Sequence, residues 1–359
     1  MRQEELVGKV QTVLGVINAD NVGITLPHEH LLTDLSPYFV EPTEAGDKSR
    51  AYEPMSLENR SWLLVNRSHH FYDNKLTDEN LAIKEALHYK RAGGNTIVEM
   101  SNNGLSRDPL GLARISRATG LNIVMGAGYY LGLSHPPELA TRAEEEITEE
   151  IVRDITVGVG DTGVRSGIIG EIGCSVPLAE TERKVLRASA AAQRRTGAAI
   201  NIHPSFRHDL VLEIIKIMGD AGADLSRTVI SHCDVGRFSP IFHKIAKAGC
   251  YIEFDTSGEP AVVVPAYLCP EGTLLAFPSD LERINEIMHL IDDGYLNQIL
   301  ISQDTCMRHS YITYGGHGYA HILNNVVPWM RRAGMSDEQI HTLIVENPKR
   351  LLTFAPVKE

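Results

Sequence analysis

The chain has 359 residues, 43% of them apolar and 22% charged, with a formal net charge of -12. Its length fits one large α/β domain or two ordinary ones, and its composition is that of a globular protein. The acidity, with no clustered Lys/Arg patch, argues against a nucleic-acid partner.

The first residues, Met1-Arg-Gln-Glu-Glu-Leu-Val7, lack the apolar core of a secretory signal, and no run of about 18 apolar residues could span a bilayer. A cytoplasmic protein without membrane partners is expected. The cysteines (Cys174, Cys233, Cys250, Cys269 and Cys306) are odd in number and form no C-x-x-C pair, so free thiols are expected.

In chain order, alternation of Val10, Thr12 and Leu14 with Lys9, Gln11 and Val13, before a turn at Asn18–Asn21, predicts an N-terminal hairpin. A strand over Gly23–Leu31 follows. Next comes a long polar insert, about residues 31 to 80, with an amphipathic piece at Ser56–Phe71. Further strands are predicted at Thr96–Ser101, Ile123–Tyr130, Gly167–Gly173, Ala198–Pro204, Thr228–Cys233, Tyr251–Thr256 and Ile299–Thr305. Helical patterns alternate with them at Asp78–Ala92, Pro109–Thr119, Pro137–Val157, Ala179–Thr196, His208–Ala221, Ser239–Ala248 and Ser279–Asp293. Several end in Gly, as at Gly93, Gly120, Gly197 and Gly249, the usual residue just past a helix.

Eight strands alternating with helices fit a (β/α)8 barrel or an open doubly wound sheet. The chemistry-bearing residues favour the barrel. His28 and His30 (in Leu-Pro-His-Glu-His), Glu171, His203, His232 and Asp304 all fall at the ends of strand-like runs. A barrel gathers such positions at one face, whereas an open sheet spreads them by about 4.8 Å per strand. The expected fold is therefore a single, distorted (β/α)8 TIM barrel domain over residues 1–359, with the hairpin in front.

His28 and His30 share one face of their strand, with Glu29 turned opposite. Glu171, inside Gly-Ile-Ile-Gly-Glu-Ile-Gly, would be costly to bury alone. It either bridges two cations or pairs with a buried Arg. His203 and His232 end consecutive strands; Asp304 is a helix cap or a metal ligand and proton acceptor. Imidazole and carboxylate donors without Cys suit two divalent cations, zinc first, with Mn, Fe or Co as alternatives. Two cations carry +4; Glu171, Asp304 and a bridging hydroxide remove three charges, and the remainder can polarise a carbonyl or phosphoryl oxygen. This is a hydrolase pattern acting on a small-molecule substrate.

Other residues are weaker candidates. Tyr129, Tyr130, Arg237, Arg308 and His317 are candidate substrate contacts, and Asp234 could orient His232 or join Arg237 in binding an anionic group. Cys174 and Cys233 read as packing residues, and His69, His70, His208 and His243 as solvated. The long apolar connection from Gly258 through Pro278 could be a substrate wall, a lid or a subunit contact.

Val10-Gln-Thr-Val-Leu-Gly15, Leu26-Pro-His-Glu-His-Leu31, Gly167-Ile-Ile-Gly-Glu-Ile-Gly-Cys-Ser175, Tyr314-Gly-Gly-His-Gly-Tyr319 and Glu346-Asn-Pro-Lys349 together resemble the phosphotriesterase family of the amidohydrolase superfamily, in particular the phosphotriesterase-related (resiniferatoxin-binding) proteins. The resemblance runs nearly end to end. It implies that His28, His30 and Asp304 hold a buried metal, that His203 and His232 hold an exposed one, and that Glu171 bridges them. It also implies a homodimer. Phosphotriesterases and related lactonases use a carboxylated lysine where Glu171 stands, so a carboxylic ester, lactone or amide is favoured over a phosphotriester. The rival readings are an organophosphate hydrolase, a metal-containing binding protein with little catalysis, and a mononuclear, deaminase-like member.

Overall fold

The computed structural model describes residues 5–204, 208–235, 241–265 and 274–357. Strands β1 (Lys9–Thr12) and β2 (Gly15–Asn18) form the antiparallel hairpin expected from the alternation. The next strand is β3 (Thr25–Glu29). A small antiparallel pair, β4 (Thr33–Asp34) and β5 (Lys75–Leu76), closes the insert that follows it. The other parallel strands are β6 (Thr96–Glu99), β7 (Asn122–Ala127), β8 (Ile168–Gly173), β9 (Ile200–His203), β10 (Thr228–Ile230) and β11 (Tyr251–Phe254). A second short hairpin, β12 (Val263–Pro265) with β13 (Leu274–Ala276), precedes the last strand, β14 (Ile299–Ile301).

The eight long-range strands pair in the order β14-β11-β10-β9-β8-β7-β6-β3. Every neighbouring pair is parallel. The two outer strands meet through Ser302 and Asp304: Ser302 Oγ accepts from the His28 N–H at 3.0 Å, and the Asp304 N–H donates to His28 O at 3.2 Å. The sheet is thus nearly closed into the expected barrel. Its strands read as continuous apolar runs because both faces are covered, one by interior side chains and one by the helix ring.

Sequence and structure agree on the helices with two instructive differences. Gly120 (φ 66°) and Gly197 (φ 74°) adopt the left-handed conformation that stops their helices. The pattern predicted over Pro137–Val157 breaks into a 3-10 turn at Pro137–Ala140 and a helix at Glu144–Thr156. Glu146 accepts from the Ala143 N–H and starts the second piece, and three glutamates in its first turn suit the helix dipole. The Ser56–Phe71 stretch is likewise a short helix, Arg60–Val65, followed by a 3-10 turn at Arg67–His69.

The 31–80 insert is polar in sequence but not solvated throughout. Arg67, Ser68, His70, Asp73 and Asn74 are buried. His70 therefore departs from its surface reading: its Nδ1 accepts from the Asp73 N–H, and its Nε2 faces Glu53 O at 3.0 Å. No described helix is long and apolar enough to cross a membrane. Cys174, Cys233, Cys250 and Cys306 are free thiols, and Cys269 lies outside the described residues.

Candidate metal centre

The six residues singled out in the sequence come together at the C-terminal end of the barrel. Glu171 lies within β8, His28 in β3 and His203 at the end of β9. His30, His232 and Asp304 sit just past their strands. His232 (φ 52°) and Asp304 (φ 46°) adopt left-handed backbone conformations. Such strain costs about 1 kcal/mol or more per residue and concentrates at functional sites. Gly170 precedes Glu171 because a Cβ there would lie 2.6 Å from Asn201 O, at a φ of +142°.

The donors face one another closely. His203 Nδ1 lies 2.6 Å from Glu171 Oε1 and 2.8 Å from His232 Nε2. His232 Nε2 is 2.9 Å from the same Glu171 oxygen. His28 Nε2 stands 3.7 Å from both Glu171 Oε1 and Asp304 Oδ1. His30 Nε2 stands 3.2 Å from Asp304 Oδ1 and 3.8 Å from Glu171 Oε2.

A ring of buried hydrogen bonds fixes these side chains from behind. His28 Nδ1 is 3.1 Å from Glu253 Oε2 and 3.3 Å from Asp255 Oδ2. His232 Nδ1 is 3.0 Å from Asp255 Oδ1, and Asp255 also accepts from the His232 N–H. His30 Nδ1 meets Ser101 Oγ at 2.9 Å. Tyr319 donates to His30 O at 2.6 Å. Carboxylates behind imidazoles hold the proton on Nδ1, so Nε2 presents a lone pair to the centre.

This arrangement tests whether cations fit. His28 Nε2 is fully buried and has no hydrogen-bond partner among the described residues. In the neutral rings its lone pair and that of His232 would face carboxylate oxygens, which is repulsive unless a cation or a proton supplies positive charge between them. Burial alone would depress His28, yet Glu171, Glu253 and Asp255 outweigh it and push it up to about 10. Burial would raise Glu171, but His203 and His28 hold it well below the usual carboxylate range. Burial pushes Asp255 up to about 7 even beside His232. The residues present fit metal ligation: the groups His28–His30–Glu171, Glu171–His203–His232 and His28–His232–Asp304 each bring ligand atoms within 4.8 Å of one another.

The cluster floors a cavity enclosing about 870 Å³, part of it open to solvent. Its walls include Leu35, Leu105, Val235, Val264, Leu275, Phe277 and Met307. The described part of the apolar connection after β11 therefore forms one wall of this cavity, through Val264, Leu275 and Phe277 of the β12–β13 hairpin and its flank.

Comparison with known proteins follows the same lines. A model of the phosphotriesterase family matches residues 8–352. The chain belongs to the phosphotriesterase family. It is 41% identical to N-acetyltaurine hydrolase of Dictyostelium discoideum, covering 98% of this chain and 99% of that protein. It is 38% identical to N-acetyltaurine hydrolase of Mus musculus, over 97% and 99%. Among solved structures, a resiniferatoxin-binding protein from Rhodobacter sphaeroides superposes with a TM-score of 0.90 at 36% identity, covering 96% of this chain and 95% of that one. The phosphotriesterase homology protein from Escherichia coli, solved with phosphate in its active site, gives 0.76 at 29% identity, over 93% and 99%.

On this family scaffold the other sequence candidates separate. Tyr130 lines the cavity, with its hydroxyl 3.4 Å from His203 Nδ1. Tyr129 turns away from it, to Glu150 and Arg142. The Arg308 Nε donates to Lys75 O at 2.6 Å and ties the insert down. His317 sits behind Glu259, its Nε2 3.8 Å from Glu259 Oε1. Arg237 lies outside the described residues. Asp234 does not orient His232. It binds Arg283 Nε at 2.7 Å and the Thr256 hydroxyl at 2.7 Å, and the orienting carboxylate is Asp255.

Sequence reasoning missed Arg67, Glu253, Asp255 and Glu259. Glu253 and Asp255 carried a usable signal, since two carboxylates inside an apolar strand need partners. Arg67 and Glu259 carried none, because they lie on separate loops and meet only in space.

Beside the cavity, His309 Nδ1 meets Asp73 Oδ2 at 2.7 Å, and its Nε2 lies 3.8 Å from Glu259 Oε1. Burial by itself would depress His309, but Asp73 and Glu259 outweigh it and raise it from 6.5 to about 9. A folded-state value above the unfolded one contributes stability that is complete below 6.5 and disappears as pH rises through 9. We expect His309→Asn to narrow its stability gap from the wild type over that window, read from urea midpoints at a series of pH values. A gap that does not change with pH would contradict this.

Proposed function

We propose that this hydrolase cleaves the carboxamide of a small acylated amine at two divalent cations. The observation that carries the reading is the convergence of six buried or half-buried imidazole and carboxylate groups, whose ligand atoms lie within 4.8 Å of one another in overlapping sets of three. His28, His30 and Asp304 would hold one ion, His203 and His232 the other, and Glu171 both. Bound there, two such cations acidify water and polarise a carbonyl oxygen. Zinc is the first expectation for this donor set.

The chain's own residues do the rest. Asp304, with 20% of its side chain exposed, is the ligand most open to the cavity. It accepts the proton of the attacking water and passes it to the leaving amine. Asp255 and Glu253 keep His28 and His232 in one tautomer throughout. The apolar walls exclude bulk water around the acyl group. The amide is chosen over an ester or lactone because N-acetyltaurine hydrolases resemble this chain over nearly their whole length.

The test is metal content per chain, measured alongside turnover of N-acetyltaurine, an N-acyl amino acid, a lactone, an aryl ester and a phosphotriester. We expect about two metal ions per chain, chelator-sensitive turnover and a preference for the amides. Absence of metal after reconstitution would overturn the centre. A phosphotriester preference would overturn the substrate class.

A further inference from the structure

One charged pair in the cavity takes no part in the hydrolytic scheme. Arg67 and Glu259 line the same cavity as the histidine–carboxylate cluster. The insert after β3 delivers Arg67, and the connection after β11 delivers Glu259. Both side chains are more than nine-tenths buried. Arg67 carries the only fixed positive charge among the described residues lining the cavity.

The guanidinium is held along one side only. Nη2 donates to Glu259 Oε2 at 2.6 Å, and Nε donates to Leu64 O at 3.3 Å. The Phe277 ring stacks 4.6 Å from its centre. Nη1 has no partner among the described residues and is not a buried orphan, so it keeps access to solvent on a residue that lines the cavity.

Glu259 does not cancel this edge, because other groups satisfy it. Ser310 Oγ donates to its second oxygen at 3.2 Å, and the Nε2 atoms of His309 and His317 each lie 3.8 Å away. Asp73 and Glu259 keep His309 protonated, so Arg67, Glu259, His309 and Asp73 sum to zero. The pair orients the fork without making the wall negative. A rigid, permanently charged edge beside the apolar side chains of Val264, Leu275 and Phe277 matches a carboxylate or sulfonate.

We propose that Arg67 is the specificity-determining residue of this cavity: its Nη1 edge binds an anionic group on the amine side of the substrate. The substrate class is then an acylated amino acid or amino sulfonate rather than a neutral amide. This rests on the hydrolase reading above, and its test keeps the two apart.

The test measures binding without turnover. In 5-oxohexanoate a methylene replaces the amide nitrogen of N-acetyl-β-alanine, so it cannot be hydrolysed; 5-oxohexanamide is its neutral counterpart. Calorimetry on the metal-loaded protein should show the acid binding about tenfold or more tighter than the amide, the scale of a charge-assisted hydrogen bond. Arg67→Lys should shrink that preference. The double variant Arg67→Met/Glu259→Gln, which leaves no lone buried charge, should bring it near unity. No preference in the wild type, or an undiminished one in the double variant, would overturn the proposal. Turnover of N-acetyl-β-alanine and its carboxamide separates the two readings. Hydrolysis of both without preference removes the anchor and leaves the hydrolase; an Arg67-dependent binding preference without any hydrolysis does the reverse.

Discussion

Asp304→Asn should lower turnover by about a thousandfold while leaving the barrel folded, since a positioned proton acceptor contributes about 10²- to 10⁴-fold. Asparagine has the same shape and can still accept from neighbouring donors through its oxygen, but it cannot take a proton from water. Asp304 stands 3.2 Å from His30 Nε2 and 3.7 Å from His28 Nε2. Its backbone is fixed by the N–H bond to His28 O. The geometry should therefore survive, and metal content measured on the same sample shows whether the ligand role survives with it. Near-normal metal with collapsed kcat assigns proton transfer to Asp304. Unchanged kcat would remove Asp304 from the chemistry.

How much of this was legible in the sequence depends on the range of each interaction. The helix stops at Gly120 and Gly197 are local effects, and they stand where the sequence puts them. The barrel was legible through strand rhythm plus the placement of ligand-type residues, because parallel strands leave their ends on one face. His28, His30, Glu171, His203, His232 and Asp304 meet for that reason. The parts that escaped depend on pairing between distant segments. Asp255 and Asp234 lie near one another in space, and only the fold decides that the first supports His232 while the second neutralises Arg283. His70 looks solvated in a polar stretch, yet the insert folds over it. Arg67 needed Glu259, 192 positions away, to become visible as a feature at all.

Glu29 illustrates the same point with a large expected effect. Sequence alternation turns it away from the histidines on either side, which by itself suggests a passive position. In the fold it is completely buried and grips the segment that carries Asp304. Its Oε1 accepts from the Gln303 N–H at 2.9 Å and lies 2.8 Å from Ser302 Oγ. Its Oε2 accepts from the Thr305 N–H at 2.9 Å. One carboxyl thus satisfies the backbone donors on both sides of Asp304 and joins the first barrel strand to the last. Burial pushes Glu29 up to about 7, against the hydrogen bonds from Thr305 and Ser302 that favour its charged form. Truncation in Glu29→Ala leaves two buried backbone N–H groups unmet, at about 1–3 kcal/mol each. We therefore expect a loss of about 3 kcal/mol or more, a large share of the roughly 5–15 kcal/mol that holds a typical protein folded. Turnover should fall as well, because Asp304 loses both flanking anchors. Glu29→Gln keeps one acceptor oxygen, enough for one of the two backbone donors, and should lose less. Urea midpoints and kcat for the two variants decide the matter. If Glu29→Ala matches the wild type in both, the clamp is not what positions Asp304, and the left-handed turn must hold itself.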